Sequence, residues 1–120
     1  MKPTLHHRGN AGVMHNIVQD MLVDILERKG RKVRKEFEVC SKVEYGKFWV
    51  IDVADITDAA HPIYYEVQAG RNESFNAKLT EIGLGTGWDL VPLYLDELEK
   101  EHGKNVGVQT LRKWIEERIT

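Results

Sequence analysis

Two runs of β-branched and aromatic residues constrain this chain more than anything else in it: Phe48 to Ile56 (Phe-Trp-Val-Ile-Asp-Val-Ala-Asp-Ile) and Ile63 to Ala69 (Ile-Tyr-Tyr-Glu-Val-Gln-Ala). Runs of this kind read as strands covered on both faces, so the fold must supply helices above and below a sheet. Each run nevertheless contains acids, Asp52 and Asp55 in the first and Glu66 in the second. An ionised carboxylate inside an apolar strand is costly to desolvate unless something pairs with it. What pairs with these acids is therefore the question the sequence poses.

The flanking segments supply the helices. From Gly12 to Gly30, Val13, Met14, Ile17, Val18, Met21, Leu22, Ile25 and Leu26 recur at steps of three and four, the stripe of an amphipathic helix, with Asn10 as its expected cap and Gly30 as its stop. Val33, Phe37 and Val39 then alternate with charged residues as in a half-exposed strand, in which Cys40 is expected to be half-buried. Tyr45-Gly46-Lys47 reads as a turn, and so does Thr57 to Pro62. A second helix is expected from Asn72 or Ser74, with Phe75, Leu79 and Ile82 inward and Gly83, Gly85 and Gly87 ending it. These glycines follow a helix and precede a strand, the reverse of a phosphate-binding loop. Trp88 to Leu95 is a further strand, at an edge because of Pro92. Asp96 to Gly103 is a short acidic helix, Val106 to Val108 a brief extended piece, and Thr110 to Ile119 a last helix with Leu111, Trp114, Ile115 and Ile119 turned inward.

That order predicts an α/β fold, a three-layer α/β sandwich around a mixed central sheet of four or five strands. With 120 residues, 42% of them hydrophobic, the chain suits a single domain over 1–120, with 1–10 as a flexible tail. It can bury roughly two-thirds of its unfolded surface without disulfides or metal staples. No apolar run reaches the ~18 residues of a membrane span, and Met1 to Asn10 lacks the apolar stretch of a signal peptide. The single cysteine excludes an internal disulfide. An intracellular protein without a membrane partner is the expectation.

The net charge of −2 sets the chain apart from DNA-packaging proteins, but the charge is polarised. Arg28, Lys29, Arg31, Lys32, Arg34 and Lys35 fill six of eight positions, whereas Asp96 to Glu101 is acidic. A local basic cluster can grip phosphates regardless of the total, because salt screens the distant acids. His6, His7 and His61 form no metal box with Cys40. Trp49, Trp88 and Trp114 occupy core-like positions.

Residues two apart on a strand share a face, so Tyr64, Glu66 and Gln68 lie in line. Hairpin pairing of the two runs would set Asp52 opposite Glu66. Two adjacent carboxylates suit a divalent cation, and Mg²⁺ takes one or two carboxylates, waters and a substrate phosphate. Asp52, Glu66 and a backbone carbonyl at Val67 or Gln68 would meet that demand. The bland alternative is a pair of buried acids satisfied by a neighbouring Lys or Arg.

Asp52 within Val-Ile-Asp-Val, followed by Glu66-Val67-Gln68 in the next strand, between an N-terminal and a second helix, resembles the PD-(D/E)XK phosphodiesterase superfamily. Restriction endonucleases, Holliday junction resolvases and small archaeal and viral nucleases belong to it, and the likeness spans Gly12 to Leu95. The resemblance implies a restriction endonuclease-like fold and a metal-dependent endonuclease acting on DNA, with Asp52 and Glu66 as ligands of Mg²⁺ or Mn²⁺. Gln68 stands where the motif usually has Lys; it can bond a water but cannot act as a base. Lys78 or Arg71 on the following helix could supply the missing cation. The first helix of such proteins often turns a polar residue to the metal, and His15 matches by position, with Gln19 and Asp20 as further choices. Asp55, of opposite phase, is expected to be a helix-side or strand-end contact, and Glu36 and Glu38 a solvated face. Arg28, Arg31, Lys32, Arg34, Lys35, Arg71 and Lys78 are the expected nucleic-acid contacts. One site per chain implies a homodimer where two strands are cut. The competing expectation is an inactive binding module of the same fold.

Overall fold

A computed structural model describes residues 8–41, 45–86 and 89–119, and the side chains of residues 12–41, 45–80 and 89–119. The element order is α1 (Arg8–Arg28), β1 (Val33–Cys40), β2 (Phe48–Asp55), β3 (Ile63–Gln68), α2 (Glu73–Thr86), β4 (Asp89–Tyr94), α3 (Leu95–His102) and α4 (Val108–Glu116). The four strands form one sheet in the order β1-β2-β3-β4, with β3 and β4 parallel across the α2 crossover and the other neighbours antiparallel. This is the α/β layered fold with a mixed sheet that the sequence predicts.

Alternation along the strands decides what each layer buries. Val33, Val53, Tyr65, Val67 and Leu93 point to one face and pack with Val18, Leu22, Ile25 and Leu26 of α1, Leu98 of α3, and Leu111, Trp114 and Ile115 of α4. The intervening residues Ala54 and Tyr64 face the other way, with Val39 and Ile51. Helix α2 belongs to that second face, where Phe75 meets Tyr94 edge to face at 6.0 Å. Helix α1 is tied to α4 by Asp24, which accepts from Arg28 one turn on and from Arg112 at 3.0 Å. It stops at Gly30 (φ 81°), where the Gly30 and Arg31 amides donate to the carbonyls of Glu27 and Leu26. That pair of bonds is a Schellman closure, which favours glycine in the left-handed conformation.

Several expectations need correction. Helix α1 already includes Arg8 to Asn10, so Asn10 is not its cap and only 1–7 of the expected tail lie outside the described residues. Helix α2 runs through Gly83 and Gly85 to Thr86; Gly87, Trp88 and the side chain of Ile82 lie outside what is described. A lone glycine costs a helix about 1 kcal/mol, which two neighbouring turns can tolerate. Val108 opens α4, so no strand forms at 106–108 among the described residues. Strand β2 is not covered on both faces throughout: Phe48 and Val50 are exposed, and Trp49 is half-buried beneath the Lys47 ammonium at 4.3 Å. Cys40, at the end of β1, is exposed rather than half-buried.

Candidate active site at a break between strands

The antiparallel β2–β3 ladder holds only three pairs, Val53 with Tyr65, Ala54 with Tyr64 and Asp55 with Ile63. One step further the same register would set Asp52 across from Glu66, and there side chains replace the ladder. The Asp52 amide donates to Glu66 Oε1 at 3.0 Å, and the Val67 amide donates to Asp52 Oδ2 at 2.8 Å. The two carboxylates therefore fill the fork where the strands part, each bonded to the peptide of the opposite strand. Asp52 and Glu66 thus lie close enough for each to feel the other's charge, and Val67, expected to offer its carbonyl, contributes its N–H to Asp52.

Two helices complete the cluster from opposite faces. From α1, His15 Nε2 lies 3.1 Å from Asp52 Oδ2, with 30% and 18% of the two side chains exposed. Gln19, also on α1, donates from Nε2 to the Asp52 carbonyl at 3.1 Å. From α2, Lys78 Nζ bonds Glu66 Oε1 at 3.0 Å and the Val50 carbonyl at 2.6 Å. Gln68 Nε2 donates to the other Glu66 oxygen at 3.2 Å. Of the two cations considered for the place of the motif lysine, Lys78 arrives and Arg71 does not. Arg71 lies 4.3 Å above the Tyr94 ring and pairs with Glu97 at 3.2 Å.

Burial shapes the electrostatics. Glu66 is 2% exposed, and desolvation, followed by repulsion from Asp52, raises its pKa above the ordinary 4.5, against the opposing pull of Lys78. Desolvation disfavours the charged form and a like charge adds to it. Two carboxylates face a single ammonium, which leaves the cluster one positive charge short when both acids are ionised and His15 is neutral.

That deficit bears on whether the residues suit a metal ion. Among the described residues no group of three or more His, Cys, Asp or Glu side chains is arranged to hold one. A hard cation that keeps most of its waters needs fewer, one or two carboxylates. Asp52 and Glu66 supply those, and their mutual repulsion is the cost a bound cation would offset. The donor set fits Mg²⁺ or Mn²⁺ on those terms.

The remaining sequence candidates divide. Asp55 is 2% exposed and sits at the end of β2, where Oδ1 accepts from the Thr57 amide at 3.0 Å and Arg31 approaches Oδ2 to 3.3 Å. That Oδ2 atom has no hydrogen-bond partner, so the Arg31 contact is an ion pair by distance and not by donor geometry. Asp20 pairs with Lys35 at 2.7 Å and turns away from the site. Glu36 and Glu38 are exposed, as a solvated face requires. Within the basic cluster, Arg28 is held by Asp24, Arg31 by Asp55 and Lys35 by Asp20. Lys32 and Arg34 are exposed, and no acid pairs with either among the described residues. His61 lies on the surface 3.6 Å from Asp58, and His6 and His7 lie outside the described residues.

Sequence reasoning gave Gln19 only a place as a substitute for His15. Its actual position, on a strand carbonyl, depends on a break in the sheet that no local pattern announces. Comparison with protein-family models, curated proteins and solved structures finds no match to this chain.

Proposed function

We propose that this protein is a divalent-metal-dependent nuclease that hydrolyses phosphodiester bonds of nucleic acid, with DNA as the favoured substrate. The observation that carries the reading is the fork at which Asp52 and Glu66 meet, each bonded to the other strand's peptide and together short of one positive charge. Asp52 and Glu66 would hold the ion. Bound Mg²⁺ or Mn²⁺ polarises a phosphate and lowers the pKa of a coordinated water.

The protein's own groups then have distinct tasks. Val67 N–H and His15 fix the Asp52 carboxylate, while Gln68 and Lys78 fix that of Glu66. Lys78, 13% exposed, is the positive charge nearest the fork and can face the negative charge that grows on a phosphate in the transition state. Gln68 can orient a water through its amide but cannot take its proton. His15, on the more open side of Asp52, is the group able to accept one. Lys32 immediately precedes β1 and Arg34 is its second residue, two before the position facing Asp52, so both can contact the phosphate backbone. One fork per chain cuts one strand, and a second copy related by two-fold symmetry would be needed for a duplex cut.

A second reading draws on the Lys78–Glu66 pair: an ammonium already seated on the acid is what a binding module without catalysis would also have. Incubation of plasmid and branched DNA with the protein and Mn²⁺ separates the two. Wild type is expected to cleave, and Asp52→Ala to lose at least about 100-fold of the rate, the scale of one electrostatic stabiliser in an enclosed site. Equal cleavage by both proteins would remove the assignment from this fork.

A further inference from the structure

Strand β2 does not run straight through Asp52. On either side of it the β1–β2 ladder keeps one register, Lys35 with Val53 before and Phe37 with Ile51 after, yet the pair between them, Glu36 with Asp52, does not form. Asp52 has no ladder partner on the β3 side either. Side chains two apart on a regular strand share a face. Here Val53 packs with α1 in one apolar cluster, whereas Ile51 packs in the other with Val39 and Tyr64. Both strands thus change phase at the Glu36–Asp52 position, and Glu36 takes a φ of 49°, the left-handed region that non-glycine residues avoid.

A break of this kind leaves backbone groups of Asp52 without ladder partners. Its amide is taken up by Glu66, and its carbonyl by Gln19, which is 5% exposed and one of three buried polar side chains among the described residues. A buried carbonyl left unbonded and a left-handed Glu both cost stability, so the break persists only while something else holds it.

We propose that Gln19 is the positioning residue for the fork: by bonding the Asp52 carbonyl it holds β2 in its broken form and so aims the Asp52 carboxylate at the Val67 amide beside Glu66. The inference deepens the nuclease reading and rests on it for its consequence, cation binding, but the geometric claim stands apart from any metal. Without Gln19, Asp52 and Glu36 would close the missing pair, Glu36 would return to an extended conformation, and the carboxylate would leave the Val67 N–H.

The test is a cycle of Gln19→Leu, Glu36→Gly and the double variant. Glycine accepts a positive φ without penalty, so Glu36→Gly favours the broken strand by releasing its strain. The first readout is the Val67 amide proton by NMR in metal-free protein. It is expected downfield in wild type, as a charge-assisted bond requires, shifted upfield by at least about 0.5 ppm in Gln19→Leu, and restored in the double variant. The second is Mn²⁺ affinity, expected to fall about 10-fold in Gln19→Leu and to recover with Glu36→Gly. A general loss of stability would leave the Val67 amide shift of the folded molecules where it is, because that signal reports the local bond and not the folded fraction. An unshifted Val67 signal in Gln19→Leu, or a shifted one that Glu36→Gly fails to restore, would overturn the proposal. If Gln19→Leu does not fold, Gln19→Met, of closely similar shape but without the amide donor, takes its place: a Val67 signal moved upfield upholds the proposal and an unmoved one overturns it. Absence of Mn²⁺ binding to wild type, with the Val67 pattern as expected, would count against the nuclease reading and leave the role of Gln19 intact.

Discussion

Glu66 stands between opposing influences. Burial and the Asp52 charge push its pKa upward, while Lys78 and the Asp52 amide act against them. A carboxyl whose folded pKa lies above the unfolded value binds protons more tightly when folded, so stability falls as pH rises across the interval between the two. Wild type should therefore lose stability relative to Glu66→Gln as pH is raised from about 4.5, the unfolded value, through the raised folded value. Urea midpoints of both proteins between pH 4 and 7 check this, and a constant difference would show that Glu66 titrates normally. In Asp52→Asn one of the two upward causes is gone, and the Glu66 carboxyl carbon is expected to titrate at lower pH than in wild type. For single residues the sequence was informative about Asp52, Glu66 and Gln68, because strand periodicity and the acid-x-polar spacing place them without reference to distant contacts; Lys78 entered only as one of two cations, with Arg71, that the resemblance suggested. It offered Gln19 only as a substitute for His15, because the contact with the Asp52 carbonyl arises only where distant elements meet.

Among the helices and strands, the stops are as informative as the starts. The end of α1 was legible because Gly30 follows the last apolar step, and its left-handed φ with the two closing amide bonds gives the physical reason. Gly30→Ala is expected to cost about 1 kcal/mol, the penalty of a β-carbon in that conformation. It should lower the thermal midpoint by a few degrees without altering cation binding. No change in the midpoint would mean that the closure does not hold the helix end. The glycines of α2 misled for the opposite reason: Gly83 and Gly85 lie inside the helix, where each lowers helix propensity by about 1 kcal/mol without ending it. The phase change at Asp52 was equally hidden, since a nearly continuous apolar run such as Phe48 to Ile56 does not mark which face each residue takes.

Across the protein as a whole, the layered order was readable from the succession of periods, and the apolar cluster joining α1, α3 and α4 to the sheet shows why. The distribution of charge was only partly readable. Six basic residues cluster in sequence, but folding pairs Arg28, Arg31 and Lys35 with acids; no acid pairs with Lys29, Lys32 or Arg34 among the described residues, and the last two stand next to or within β1. Replacing those two by Gln should weaken DNA binding and reduce the slope of log affinity against log salt by about one for each phosphate no longer neutralised. An unchanged slope would move the nucleic-acid path elsewhere. The nuclease reading depends on Asp52 and Glu66 serving one cation. Anomalous diffraction from a crystal soaked in Mn²⁺ measures that directly: a peak is expected about 2.1 Å from an oxygen of each carboxylate, with Lys78 displaced or still bonded to Val50. A saturating soak with no peak at the fork, or a peak held by other residues, would contradict it.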